Sequence, residues 1–357
     1  MTTAPTRKPR SSRSGRATMA DVAAAAGVSA MTVSRALRRP DSVSAEVRAR
    51  VEEASRRLGF VPSRVASALA SARTMTVAVL IPSLTNAVFI DLLAGVQETL
   101  SPHGYQPLIG VTGYGPEAEE RVLRAQLAHD PDGVILTGLD HTPGTWDLLR
   151  SLTVPVVHTM DLTTEGGLGD GGHGDGGVRT VGFSQFDAGY AIGAHLAERG
   201  RRRIGLIAGQ LDPRTRQRCD GWRQALRDAG RHDPDRELLV PDATSVALGA
   251  ELLERALAAH PDTDALFLCN DDLAQGALFQ CARLGIPVPE RLAVAGFNDL
   301  AGAAWTVPPL TTVATPRRAI GVEAARLLIA GMEDRAQSRP EPRCVDLGFR
   351  LMVRETT

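Results

Sequence analysis

Residues 17–39, ATMADVAAAAGVSAMTVSRALRR, decide how the first part of the chain is read. Thr18 and Asp21 have the spacing of a capping box, in which hydroxyl and carboxylate satisfy first-turn amides, and they open one short helix. Gly27 ends it, and Ser29 caps a second helix, with Val28 and Val33 placed as a hydrophobic staple. Two helices separated by only Gly-Val-Ser must cross steeply, which is the helix-turn-helix arrangement. In the second helix Val33, Ala36 and Leu37 turn inward, leaving Ala30, Met31, Ser34, Arg35 and Arg38 outside. A third helix starts at Ser44, carries Val47, Val51, Ala54 and Leu58 on one face and stops at Gly59.

Charge separates this head from the rest of the chain. The net charge of −1 conceals 14 Lys/Arg against 5 Asp/Glu in residues 1–73, net +9, and 26 against 36 in residues 74–357, net −10. A basic head on an acidic body predicts a polyanionic partner for the head alone. Arg35 has the reach to bond a guanine edge through two donors, while Ala30 and Met31 offer apolar contact to thymine methyls. Residues 1–17, rich in Ser, Arg and Pro without an apolar period, read as a disordered basic arm.

Residues 17–70 resemble the DNA-binding head of the LacI/GalR family of bacterial transcription regulators, on the motif D-V-A-x-x-A-G-V-S-x-x-T-V-S-R beginning at Asp21. The resemblance implies that Thr18, Ser29, Thr32 and Ser34 touch phosphates or cap helices toward them, and that Ala30, Met31 and Arg35 face bases. It also implies a hinge helix over Pro62 to Ala70, with Arg64 on DNA and Leu69 wedged into the minor groove at the operator centre. The helix-turn-helix domain is expected over residues 18–60, with hinge and linker over 61–73. So short a helix is marginal alone. It is expected to fold only with support from a second copy through Val65, Ala68 and Leu69, over DNA.

Beyond the linker, apolar strands alternate with amphipathic helices: TVAVLI (76–81), QPLIGV (106–111), GVILT (133–137), VPVVH (154–158), VGFS (181–184), RIGLIAG (203–209), LLV (238–240), ALFLC (265–269) and LAVAGF (292–297). Continuous apolar strands between helices predict parallel sheets covered on both faces. The fold class expected is an all-α head on a two-lobed α/β body. Ligands of open α/β sheets sit beyond the carboxyl ends of strands. That rule selects Ser83, Thr85, Asn86, Thr137 and Asp187 in one lobe, and Arg214, Arg218, Asn270, Asp271 and Asn298 in the other. Amides, hydroxyls and a few Asp and Arg suit a polyol or sugar acid. Phe89, Trp222 and Trp305 are candidates to cover an apolar ligand face, with ordinary core packing the competing reading. Asp187 and Asp271 equally fit as caps of the following helices.

The body is similar to the periplasmic-binding-protein-like sensor of LacI-type regulators. That resemblance implies three crossovers, placed near Gly200, Thr315 and Arg339, so that lobe 1 holds about 74–200 and 315–339 and lobe 2 about 201–314 and 340–357. VLIPSLTNAVF, LTGLDHTP, CNDDLAQGALFQCARLGIPVP, AGFNDL and PPLTTVATPR resemble the gluconate-operon repressor branch, which implies gluconate or a related sugar acid as effector. Arg218, ahead of Gly221 and Trp222, matches the family's effector-binding arginine, Asp187 its cleft aspartate and Asn270 its cleft asparagine. Asn298 stands where aspartate is usual, and the loop around Arg214 is one residue shorter than in some relatives. The glycine-rich stretch 166–177, with Asp170, His173 and Asp175, reads as a flexible loop in preference to a metal site.

The expected function is a homodimeric repressor on a pseudo-palindromic operator, released by effector; tightening by a corepressor is the alternative. No nucleophile motif, phosphate loop or metal-ligand spacing supports an enzyme, and no cofactor is expected. Four cysteines without a C-x-x-C pair suit neither a disulfide framework nor a zinc site. The N-terminus lacks an apolar signal core, no apolar run approaches the roughly 18 to 20 residues of a membrane span, and a cytoplasmic location is expected.

Overall fold

The computed structural model describes residues 17–38, 40–61, 73–163, 178–333 and 343–357. Residues 1–16 of the basic arm, the hinge residues Arg64 and Leu69, the glycine-rich stretch 166–177 and Arg339 lie outside the described residues. The chain divides into two compact units, Met1–Thr74 and Met75–Thr357.

The first unit holds α1 (Met19–Ala26), α2 (Ala30–Arg38) and α3 (Ala45–Leu58). Both halves of the capping box form: Oγ1 of Thr18 accepts the Asp21 amide at 3.3 Å, and the Asp21 carboxylate accepts the Thr18 amide at 2.7 Å. Gly27, at φ 65°, reverses the chain in a left-handed conformation that a Cβ would strain, and Val28 donates back to the Ala23 carbonyl. Val22, Val33, Ala36, Val51 and Ala54 form the buried centre, with Val28, Leu37 and Val47 packed around it. Leu58 is 37% exposed and stands outside this cluster; Phe60, just past the Gly59 turn, packs there instead.

In the second unit a six-stranded sheet has the order β11-β5-β4-β3-β1-β2, built from β1 (Thr76–Ile81), β2 (Gln106–Val111), β3 (Gly133–Thr137), β4 (Val156–Thr159), β5 (Arg179–Gly182) and β11 (Arg343–Asp346). All its pairings are parallel, for example Thr76 with Gln106 and Val77 with Gly133. A four-stranded parallel sheet has the order β7-β6-β8-β9, from β6 (Ile204–Ala208), β7 (Glu237–Leu239), β8 (Ala265–Leu268) and β9 (Ala293–Ala295). The covering helices are α4 (Ala87–Leu100), α5 (Pro116–Leu127), α6 (Pro143–Ser151), α7 (Gln185–Glu198), α8 (Pro213–Asp228), α9 (Val246–Ala259), α10 (Asp271–Leu284) and α11 (Arg317–Glu333). The apolar alternation misses three short strands: β11 and the antiparallel pair β10 (Thr312–Ala314) and β12 (Arg350–Met352).

Two of the three expected crossovers move. The chain leaves the six-stranded lobe at Phe183 and Ser184, not near Gly200, because α7 packs against α8 and β8 of the other lobe. It returns near Thr315, since α11 packs on α4 and on β3 to β5. The last crossover follows β11 at 347–349, because Arg343–Asp346 pairs with β5; residues 340–357 therefore do not all belong to the second lobe. After β12 the chain seats itself in the second lobe, where the Thr356 carbonyl accepts the Val294 amide at 2.9 Å.

Candidate functional site

On the head, α2 presents Ala30, Met31 and Arg35 on its exposed face, with Met31 71% exposed; Thr32 and Ser34 are half-buried beside them. An exposed methionine and an outward-reaching arginine on a helix entered by a tight turn form a surface suited to a major groove. Ser29 is committed to the helix start, its Oγ accepting the Thr32 amide at 3.1 Å and lying 2.9 Å from the Thr32 hydroxyl. Thr18 is likewise held by Asp21, whose carboxyl the Thr18 amide and hydroxyl keep below its usual pKa.

In the body a cleft open to solvent lies between strand ends of both lobes. Asn86, Phe89, Tyr114 and Met160 line it from one lobe, and Gln185, Asp212, Arg214, Arg218, Asn270 and Asn298 from the other. Six of the ten residues expected at an effector site are thus brought together: Asn86, Phe89, Arg214, Arg218, Asn270 and Asn298.

The two arginines differ in how far they are already satisfied. Arg218 donates through Nε and Nη2 to Oε1 of Gln185, at 3.2 and 2.8 Å, and through Nη1 to the Cys269 carbonyl, with its Cζ 3.7 Å from the Phe297 ring centre. Burial pushes its pKa down from the ordinary arginine value. Arg214 grips the Asp212 carboxylate with Nε and Nη2, at 3.3 and 3.2 Å, but its buried Nη1 has no hydrogen-bond partner among the described residues. Burial opposes the charge of Arg214, but Asp212, with Asp140 and Asp161, outweighs burial and raises its pKa. An unmatched buried guanidinium donor is costly unless a ligand answers it.

The amides are partly free. Asn270 caps α10, its Oδ1 accepting the Leu273 amide at 3.0 Å, which leaves its NH2 for the cleft. Asn86 caps α4 through Oδ1 to the Val88 amide and donates to the Tyr114 hydroxyl at 3.0 Å. Asn298 sits at φ 111° and Asp299 at φ 52°, a strained turn held by Arg317, which donates to both their carbonyls, to Thr315 and to the Asp91 carboxylate of α4.

Four expected residues lie outside the cleft. Ser83 is half-buried and Thr85 exposed, and they bond each other, with Ser83 Oγ accepting the amides of Thr85 and Asn86. Thr137 is buried, donating to the Leu80 carbonyl at 3.0 Å inside the sheet. Asp187 is exposed in the first turn of α7, where an acid complements the helix N-terminus; Gln185, two residues earlier, faces the cleft instead. Trp222 is core and Trp305 is 85% exposed, so neither covers a ligand. The strand-end rule has the means to find the residues it misses, since Tyr114 follows β2, Met160 and Asp161 follow β4, and Asp212 follows β6. Asp161 is 6% exposed beside the cleft, and burial raises its pKa while Gln217 reaches it only at 3.4 Å. Asp271 is spent internally, accepting the Leu300 amide and the Thr312 hydroxyl, each at 2.7 Å.

Family profiles match both units: "Bacterial regulatory proteins, lacI family" over residues 18–63 and "Periplasmic binding protein-like domain" over 194–357. The HTH-type transcriptional regulator GntR of Pseudomonas aeruginosa is 46% identical over 346 residues, covering 96% of each chain. The chain belongs to the LacI family. Among solved structures, the transcription regulator GntR from Chromobacterium violaceum is 52% identical, with TM-score 0.72, covering 79% of this chain and 98% of that one. A LacI family protein from Silicibacter pomeroyi is 36% identical, with TM-score 0.83, covering 95% and 99%. This LacI-family member is a DNA-binding transcription regulator, not an enzyme. No helix among the described residues is long and apolar enough to cross a membrane.

Proposed function

We propose that this regulator is a repressor that, as a homodimer, occupies a pseudo-palindromic operator with its two heads and is released by a sugar acid such as gluconate. One observation carries the effector class: the buried Nη1 of Arg214, without a partner among the described residues, in a cleft whose lining also holds the amides of Asn86, Asn270 and Asn298, the Asp212 carboxylate, Tyr114 and Phe89. A carboxylate answers the arginine, hydroxyls answer Asn86, Asn270 and Asn298, and the apolar face of a carbon chain lies on Phe89. Arg218 shapes the floor, since its donors are already shared with Gln185 and the Cys269 carbonyl. Binding across both lobes favours one lobe arrangement over another, and through that difference the ligand changes operator affinity. The resemblance to gluconate-operon repressors supports the choice of gluconate.

The test is a fluorescence-anisotropy titration of operator DNA with and without D-gluconate. Release of the DNA is the expected result. Tightening would mean that the ligand is a corepressor, and no response at millimolar gluconate would remove it as the effector.

A further inference from the structure

Beneath the cleft floor, two cysteines face each other across the second lobe. Cys219 lies in α8 and Cys269 just past the end of β8, with their sulfurs 3.6 Å apart and both residues buried. Neither belongs to a C-x-x-C motif, and 50 residues separate them in sequence, so only the fold makes them a pair. Cys269 is also one of the residues that line the cleft. Cys219 directly follows Arg218, and the Cys269 carbonyl accepts from that arginine's Nη1.

We propose that Cys219 and Cys269 are a redox modification site, a dithiol that a peroxide closes to a disulfide in the folded protein, resetting the floor on which Arg218 stands. A disulfide needs the sulfurs at about 2.05 Å, so each moves by less than an ångström if they share the displacement. Such a bond is labile where thiols are kept reduced, and transient disulfides there serve sensing more than structure. The surroundings favour the chemistry. The hydrogen bond with Cys269 lowers the Cys219 pKa against the opposing effect of burial, and Arg218 and Arg223 stabilise its thiolate further. Burial pushes the Cys269 thiol up.

The step balances without metal or cofactor. One sulfur attacks the peroxide and breaks the O–O bond, giving a sulfenic acid and, with hydrogen peroxide, one water. The second thiol displaces that hydroxyl, which leaves as a second water with the thiol's proton. The two sulfurs lose two electrons and the peroxide gains them. Because the link joins α8 to the end of β8, it shifts the residues on either side of the Arg218 to Cys269 hydrogen bond. Cys281, buried and elsewhere in the second core, and Cys344, exposed on β11, serve as internal references.

The experiment treats the full, native chain with stoichiometric hydrogen peroxide, blocks remaining thiols and digests with an enzyme that cuts before aspartate, which separates Cys269 from Cys281 at Asp271. The expected product is a single cross-linked pair of peptides, 212–219 with 264–270, that disappears on reduction. Cys219→Ser and Cys269→Ser each remove it, and Cys281→Ser retains it. Amide exchange over 213–223 should change on oxidation in the wild type and stay constant in Cys219→Ser, a readout that needs no effector. Oxidation confined to Cys344, or a cross-link formed only after unfolding in urea, overturns the proposal. Unchanged exchange in a fully cross-linked wild type overturns its link to the cleft floor.

Discussion

At the residue scale, charge placement decides most of what can be tested. Arg35 is exposed on α2 with the reach of a base reader. Its replacement by alanine should cost about 1 to 3 kcal/mol on specific operator and much less on random DNA. Equal losses in a competition titration would make Arg35 a phosphate contact. In the cleft, Arg214→Ala removes the unmatched donor and also frees Asp212, so effector binding measured by calorimetry should be lost while operator binding persists. Asp271 gives a pH signature. Burial raises its pKa to about 6 in the fold, against an ordinary aspartate value of 3.8. A raised carboxyl contributes stability at low pH that is lost as pH rises through about 4 to 6, because the fold prefers the protonated form. Urea unfolding of wild type and Asp271→Asn should therefore diverge across that window, the wild type losing on the order of 3 kcal/mol more as pH rises. Parallel curves would show that Asp271 is not the group responsible.

At the element scale, the close approach of α7 and α8 depends on two missing side chains. A Cβ on Gly189 would stand 2.0 Å from the Arg218 carbonyl oxygen, and one on Gly221 would stand 1.9 Å from that of Phe186. Either alanine substitution must push the helices apart, and a loss of about 1 to 3 kcal/mol or more in denaturant melts is expected. Because α8 carries Arg214 and Arg218, effector affinity should fall with it. The same elements show how much is legible in the sequence. Capping signals at Thr18, Ser29 and Ser44 are local chemistry and locate three helices; apolar runs locate strands β1 to β9. β10, β11 and β12 are three or four residues long, half-exposed or placed by distant partners, so no local pattern announces them. The crossover expected near Gly200 is displaced for a related reason. Periodicity identifies a helix but not which sheet it covers, and α7 follows a strand of one lobe while packing on the other. Asp187 and Gln185 occupy the same first turn, and only the direction of that helix decides which one meets the cleft.

At the scale of the molecule, the head carries its own small core around Val22, Val33 and Val51, and the body contains the whole cleft. A fragment of residues 75–357 should therefore bind effector with nearly the affinity of the full chain and have no affinity for operator. Calorimetry and anisotropy on one preparation check both halves of that statement. Within the body the chain passes between lobes three times, and its last stretch serves both: β11 flanks β5, β12 pairs with β10, and Thr356 and Thr357 are buried against β9, His195 and Thr311. On a ribosome this order matters. Neither sheet has its full set of neighbours until residues 343–357 have emerged, so the nascent body waits with an open edge in one lobe and unsealed polar groups in the other. A message cut short before residue 343 should yield protein that is rapidly degraded or found in the insoluble fraction, and a cell would not be left with a stable, effector-blind repressor occupying its operator.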